Sequence, residues 1–165
     1  MKSFADYKKD APNWITMANG EFYPDILQDA CELYKPVLVL FGQLLKSSEF
    51  FPDYPNPNRP CDFVVRGKDG EPVAIGFVRY DSDRGGAQED DRTGGYVNCA
   101  HEILEYETLR RRGLKVIYVN DGPGLLLGSM WDDYAKLEAM NPQRLLVITL
   151  RMFNERLTAK WLTKK

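Results

Sequence analysis

Residues 61–96 read CDFVVRGKDGEPVAIGFVRYDSDRGGAQEDDRTGGY, and this stretch decides the fold. Two apolar runs joined by the turn sequence GKDGEP predict a β-hairpin, whose second strand leads into a loop rich in carboxylates, arginines and glycines. Asp62 opens the first strand, and Asp81 and Asp83 follow the second. Because hard divalent cations prefer oxygen ligands, acidic side chains gathered at a sheet edge predict a metal site. A metal held there would activate water or stabilise a phosphoryl transition state.

The composition is that of one ordinary domain. With 165 residues, of which 44% are hydrophobic, the chain is long and apolar enough to bury a core, and we expect a single domain over 1–165 with its core at roughly 25–152. No apolar run approaches the roughly 18–20 residues of a membrane span, and the N-terminus MKSFADYKKD lacks the hydrophobic region of a signal peptide. The three cysteines show no CxxC spacing, which argues against a disulfide framework or a zinc site. We therefore expect a cytoplasmic protein without a membrane partner.

The charge balance bears on nucleic acid as a partner. The formal net charge is −2 and the pI is near 5.5, whereas proteins that hold nucleic acid alone usually carry a basic surface. Either the chain does not bind DNA, or another subunit supplies most of the contacts.

Helical and strand patterns alternate along the chain. A helix is predicted to open at Pro24-Asp25, and the apolar run Val37–Leu45 is either a second helix or a strand, with its length favouring helix. After the hairpin, Val97–Arg112 reads as a helix that ends at Gly113. The segments that follow are the strand LKVIYV, the turn NDGPG, the helix SMWDDYAKLEAM and the strand RLLVITL. This order predicts an α/β fold with a mixed central sheet of four or five strands, flanked by helices on both faces.

Several of these features resemble the PD-(D/E)XK type II restriction endonucleases over roughly residues 60–152. They are Asp62 at the start of the first hairpin strand, Tyr80 and the segment 84–88 (RGGAQ) after the second, and a later strand that ends in Asp-Gly within VIYVNDGPG. The resemblance implies a restriction-endonuclease-like fold. It also implies acidic residues on two strands that hold Mg²⁺, with a nearby lysine, glutamine or glutamate assisting the attacking water.

The sequence departs from that family at two positions. The second-strand acid is expected about 14 residues after Asp62, near Gly76, and the lysine two positions later at Val78. Neither residue performs that chemistry. Either the acids have moved, or the domain is catalytically degenerate.

Replacements are present further along the chain. Asp81 and Asp83 follow the second strand, and Glu102 lies in the next predicted helix, from which some relatives take one acid. Gln88 would replace the lysine as a neutral group that orients water.

The resemblance thus implies a Mg²⁺-dependent endonuclease that hydrolyses double-stranded DNA within a restriction system. Its short, weakly acidic chain is similar to the small catalytic subunit of a two-chain enzyme, so a larger recognition subunit or self-association is expected. The implied residues are Asp62, Asp81 and Asp83 for the metal, these three with Gln88 and Glu102 for catalysis, and Arg79 and Arg84 for DNA phosphate.

Several of these predicted site residues also have a structural interpretation. Asp62 would also end a loop by bonding backbone amides, Asp81 and Asp83 would suit a solvated turn, and the segment 84–86 would suit a flexible turn. The NDGPG segment lacks a phosphate-loop pattern and reads as a structural turn. Two other functions stay open: a degenerate DNA- or protein-binding subunit of the same fold and, on the glycine turns alone, a small nucleotide-binding protein.

Overall fold

A computed structural model describes residues 1–16, 45–46, 54–56, 60–81, 87–110 and 113–164 of the chain. The described strands are β1 (Leu45–Lys46), β2 (Pro60–Cys61), β3 (Phe63–Arg66), β4 (Pro72–Tyr80), β5 (Lys115–Asp121) and β6 (Leu145–Ile148). The described α-helices are α1 (Ala11–Trp14), α2 (Ala87–Arg110), α3 (Met130–Ala139), α4 (Phe153–Arg156) and α5 (Ala159–Thr163). Short 3₁₀ helices span Phe4–Asp10, Pro123–Leu126 and Leu150–Met152.

The main sheet has four strands in the order β3-β4-β5-β6. Strands β3 and β4 form the predicted antiparallel hairpin, while β4 pairs with β5 and β5 pairs with β6 in parallel. The hairpin turn contains Gly70 at φ +83°, a conformation that glycine adopts without strain. The mixed four-stranded sheet of an α/β fold is therefore confirmed. A separate two-stranded pair joins β1 to β2.

Helices cover both faces of the sheet. On one face, Tyr96 of α2 contacts Tyr118 of β5, with ring centroids 4.9 Å apart, and Phe77 of β4 stacks on the same tyrosine at 5.4 Å. Lys115 is an odd number of residues from Tyr118 and so points to the other face, where its ammonium group lies over the ring of Trp161 in α5. The flanking helices that the sequence predicted are present.

The helix after the hairpin begins earlier than expected. Helix α2 starts at Ala87 rather than at Val97, so the Gly94-Gly95 pair lies inside the helix and not in a turn. A glycine pair usually marks a turn, but an acidic sequence favours the first turn of a helix, because the helix dipole is positive there. Buried side chains further along, including Ala100 and Ile103, hold the helix on the sheet.

The two ends of the chain extend the core beyond the expected limits. Phe4 and Trp161 are both buried in the same hydrophobic cluster as the sheet. Phe4 stacks on Trp131 of α3 with ring centroids 4.5 Å apart. The helix expected to open at Pro24-Asp25 lies outside the described residues, as does the run Val37–Leu45 except for Leu45.

A buried ion pair fixes the N-terminal segment to the sheet. Both carboxylate oxygens of Glu138 accept hydrogen bonds from Arg156, at 2.8 and 2.9 Å, and also from the backbone N–H groups of Phe4 and Val147. Such a pair is stable only when its remaining hydrogen-bonding capacity is satisfied, and here the two backbone N–H groups satisfy part of that capacity.

Across the described segments, no helix is both long and apolar enough to pass through a bilayer.

Candidate functional site

The candidate site lies where β4 and β5 end. Asp81 follows β4 directly and is buried, with 3% of its surface exposed. Its Oδ1 atom is 3.1 Å from Nε of Arg79, two residues earlier on the same strand. Since alternate residues of a strand share a face, the guanidinium and the carboxylate meet on the face that α2 covers.

The segment after β5 holds the backbone of Asp81. The N–H of Asp81 donates to the carbonyl of Asp121, and its carbonyl accepts from the N–H of Gly124, both at 2.8 Å. A Cβ atom at Gly122, whose φ is +107°, would lie 2.4 Å from that carbonyl oxygen, and one at Gly124 would lie 2.8 Å from it. The glycines of NDGPG therefore permit close packing against Asp81, which agrees with the interpretation of this segment as a structural turn.

Asp121 itself serves the backbone. Its carboxylate accepts hydrogen bonds from the N–H groups of Thr16, Gly122 and Leu150 at 2.6, 2.6 and 2.9 Å. Burial raises the pKa of Asp121, and these backbone donors oppose the rise. The carboxylate thus joins three segments of chain, and we assign it a structural role.

Asp62 lies beside β4 at the start of the hairpin. Its N–H donates to the carbonyl of Gly76 at 2.9 Å, and its Oδ2 atom accepts from the N–H of Val78 at 2.7 Å. Although the residue as a whole is exposed, neighbouring protein atoms displace water from the carboxyl group and raise its pKa, and the Val78 donor opposes this. The backbone-binding role that the sequence left open is therefore present in the structure.

The strand register explains why no acid occupies position 76. Phe63 is directly opposite Gly76, and a Cβ atom there would lie 1.9 Å from Cζ of the phenylalanine ring. Asp62 precedes β3, and along β4 the residues that share the face of Phe77 are Arg79 and then, just beyond the strand, Asp81. The replacement acid that the resemblance implies therefore stays a prediction.

Tyr96 of α2 is influenced by the charged groups of this region. The pKa of its phenol is raised to about 12, chiefly by burial; the charge of Arg79 and a hydrogen bond from it lower the pKa, and the negative charges of Asp62 and Asp81 raise it. The charges of Asp62, Arg79 and Asp81 thus all act on Tyr96, and we call these four residues the acidic cluster. Tyr96 could not be predicted as a site residue from the sequence, because an aromatic residue that follows two glycines carries no signal for a site.

The other predicted site residues are Asp83, Arg84, Gln88 and Glu102. Asp83 and Arg84 lie outside the described residues, and of Gln88 only the position in the first turn of α2 is described. Glu102 is partly buried on α2, six residues after Tyr96. Within the described ranges, no group of three or more acidic, histidine or cysteine side chains is arranged to hold a metal ion, so the full ligand set stays a prediction.

Comparison with known proteins does not identify a relative. No protein-family model matches this chain, and neither a curated protein nor a solved structure is significantly similar to it.

Proposed function

We propose that this chain is a metal-dependent endonuclease domain that hydrolyses phosphodiester bonds of double-stranded DNA. In this proposal it acts within a restriction system, and a larger subunit supplies sequence recognition. The observation that carries the proposal is the carboxylate of Asp81 beside the guanidinium of Arg79 where the parallel strands end. The charge of a second carboxylate, that of Asp62, acts together with them on Tyr96. Carboxylates suit a hard cation, and a guanidinium suits a phosphate oxygen.

The donor set fits Mg²⁺ by its chemistry. Asp62 uses one oxygen for the N–H of Val78, and the raised pKa of its carboxyl group reflects lost hydration that a bound cation would compensate. Asp81 supplies a second carboxylate, fixed by the Asp121–Gly124 turn. Asp83 is the further acid that we propose for the set. Bound by these residues, Mg²⁺ would supply a more acidic water and neutralise charge on the phosphate.

The chain's own residues divide the remaining work. Arg79 is well placed to orient a phosphate group, because 29% of its side chain is exposed while Asp81 beside it is buried. We propose that Arg84 adds a second phosphate contact, that Gln88 orients the attacking water, and that Glu102 serves as an auxiliary acid. The hydrogen bond that fixes Asp62 to Val78 and the ion pair of Asp81 with Arg79 support these two acids as the main residues of the proposed site.

Metal titration of the purified full-length chain tests this proposal. Calorimetry with Mn²⁺ and Mg²⁺ should detect binding that Asp62→Asn and Asp81→Asn each weaken by about tenfold or more, because ligand charge sets the affinity. Asp10→Asn is the matched control, since it removes one negative charge from an exposed position in the N-terminal segment. Nicking of supercoiled plasmid DNA with Mn²⁺ should follow the same order. Equal metal affinity in all four proteins, each shown folded by circular dichroism, would contradict the proposal.

A second candidate function is a degenerate DNA- or protein-binding subunit of the same fold. It is favoured by the structural partners that both carboxylates already have: Arg79 for Asp81, and the backbone N–H of Val78 for Asp62. In that case Asp81→Asn would lower the unfolding temperature without changing a metal affinity that is already negligible.

A further inference from the structure

Asn120 is a buried amide next to the acidic cluster. It is the sixth residue of β5 and exposes only 1% of its surface. Neither Oδ1 nor Nδ2 of its side chain has a hydrogen-bond partner among the residues that the structure describes. In the parallel register of β4 and β5, Asn120 pairs with Arg79, so the two side chains lie side by side on the same face of the sheet.

A buried amide without a hydrogen-bond partner lowers the stability of the fold. Most buried amides in proteins are hydrogen-bonded, since a buried polar group without a partner loses its hydration and gains nothing in return. The neighbouring polar residue shows the usual solution: Thr149, which follows β6, is fully buried and its hydroxyl donates to the carbonyl of Trp14. Asn120 differs from Thr149 in this respect, although both lie in the same region of the sheet.

We infer that Asn120 is a ligand-binding residue of the acidic cluster and that its carboxamide N–H donates to a phosphate oxygen held beside Arg79. A guanidinium and an amide donor on adjacent strands form a pair of donors that suits an oxyanion. The guanidinium of Arg79 is also accessible to a ligand, because its side chain is partly exposed, whereas the side chain of Asp81 is buried. The inference rests on the proposed function, since it assigns the phosphate to the same site.

The inference is tested with inorganic phosphate as the probe and two matched variants of the full-length chain. Asn120→Leu replaces the amide by an apolar group of similar size, and Thr149→Val does the same at the neighbouring, hydrogen-bonded position. Phosphate affinity is measured by calorimetry, and the unfolding temperature by circular dichroism. In the ¹⁵N-labelled wild-type chain, the Asn120 side-chain amide resonances are followed during the titration.

We expect opposite results from the two variants. Asn120→Leu should weaken phosphate binding about tenfold while its unfolding temperature stays level or rises, because an unsatisfied polar group is removed. Thr149→Val should keep the phosphate affinity and lose about 2–4 °C of unfolding temperature, because it loses a hydrogen bond. In the wild-type chain, the Asn120 amide resonances should shift with the same saturation as the calorimetric curve.

The outcomes separate this inference from the nuclease proposal. Unchanged phosphate affinity in Asn120→Leu, or Asn120 resonances that do not move at phosphate saturation, would overturn the inference even if Asp81 proves necessary for cleavage. Conversely, phosphate binding that depends on Asn120 in a chain that neither binds metal nor cuts DNA would support the anion site and reject the nuclease.

Discussion

At the scale of single residues, Asp62 is compatible with two roles that the sequence left as alternatives, a structural role and a role in the site. Its carboxylate accepts a hydrogen bond from the N–H of Val78, as a structural residue would, and its charge also acts on Tyr96 in the acidic cluster. A carboxylate that bonds one backbone amide keeps acceptor capacity for another partner, so the two roles are compatible.

Asp62→Asn separates these roles through the pH dependence of stability. The pKa of Asp62 lies above its usual 3.8 in the folded chain, so the folded state binds this proton more tightly than the unfolded state. The contribution of Asp62 to the free energy of unfolding is therefore largest at acid pH and is lost as pH rises through the folded-state pKa. Asparagine keeps an acceptor for Val78 and carries no charge. We expect the stability of Asp62→Asn relative to wild type to increase from about pH 4 to pH 7, measured by urea unfolding at several pH values.

The control for this prediction is Asp10→Asn, at an exposed position in the N-terminal segment. Its stability relative to wild type should vary less with pH over the same range. If Asp62→Asn is instead markedly less stable than wild type at pH 7, the negative charge is required by the fold, and Asp62 is a structural cap.

How far the site could be predicted also depends on the residue. Asp62, Arg79 and Asp81 were accessible from the sequence, because they flank two recognisable strands and carry the charges that a metal or phosphate site requires. Tyr96 and Asn120 were not. Their proximity to the site arises from the packing of α2 and from the parallel register of β4 and β5, which join residues distant in sequence.

At the scale of elements, the turn after β5 is the part of the fold that fixes the site. Gly124 donates its N–H to the carbonyl of Asp81, and an added Cβ atom would lie 2.8 Å from both Cβ and the carbonyl oxygen of Asp81. The sequence predicted a structural turn here from its glycines and proline. It could not show what the turn packs against, because Asp81 is about 40 residues away in the chain.

Gly124→Ala should therefore disturb both stability and the site. Backbone atoms of Asp81 would have to move to admit the methyl group, and we expect a loss of about 1–3 kcal/mol in the free energy of unfolding. The displacement of Asp81 should also lower metal affinity. Chemical denaturation and calorimetry measure the two effects.

Gly95→Ala is the matched control for Gly124→Ala. Gly95 lies within α2, and nothing approaches within 4 Å of an added Cβ atom. Alanine favours a helix interior, so this substitution should stabilise the chain by about 0.5–1 kcal/mol and leave the site unchanged. If both substitutions change the free energy of unfolding in the same direction, the tight packing of Gly124 on Asp81 is not what supports the site.

The elements that were predicted incorrectly share one physical cause. Local glycine signals suggested a loop up to Tyr96, whereas tertiary packing of the helix against the sheet overrides them and extends α2 back to Ala87. Strand β5 likewise continues through Asn120 and Asp121, which are polar and so read as turn residues. By contrast, the hairpin and the mixed sheet followed from apolar runs whose burial dominates the folding energy.

At the scale of the whole molecule, the net charge limits the affinity for DNA that we expect of the chain alone. The formal net charge is −2, and the guanidinium of Arg79 is already close to the carboxylate of Asp81. Affinity for DNA depends largely on the counterions released when cationic side chains neutralise phosphates. A site whose proposed phosphate contacts are Arg79 and Arg84 would release few counterions.

We therefore predict that the isolated chain binds duplex DNA weakly and with a shallow salt dependence. Two neutralised phosphates correspond to a slope of about −2 in a plot of log K against log salt concentration, and to a Kd weaker than about 10⁻⁵ M at physiological salt. Fluorescence anisotropy with a labelled duplex between about 50 and 200 mM NaCl measures both quantities. Addition of the larger recognition subunit that we propose should restore tight binding and cutting, because it would add cationic contacts to the two proposed for this chain. A steep slope, or specific cleavage by the purified chain alone at physiological salt, would show that the chain carries its own recognition surface.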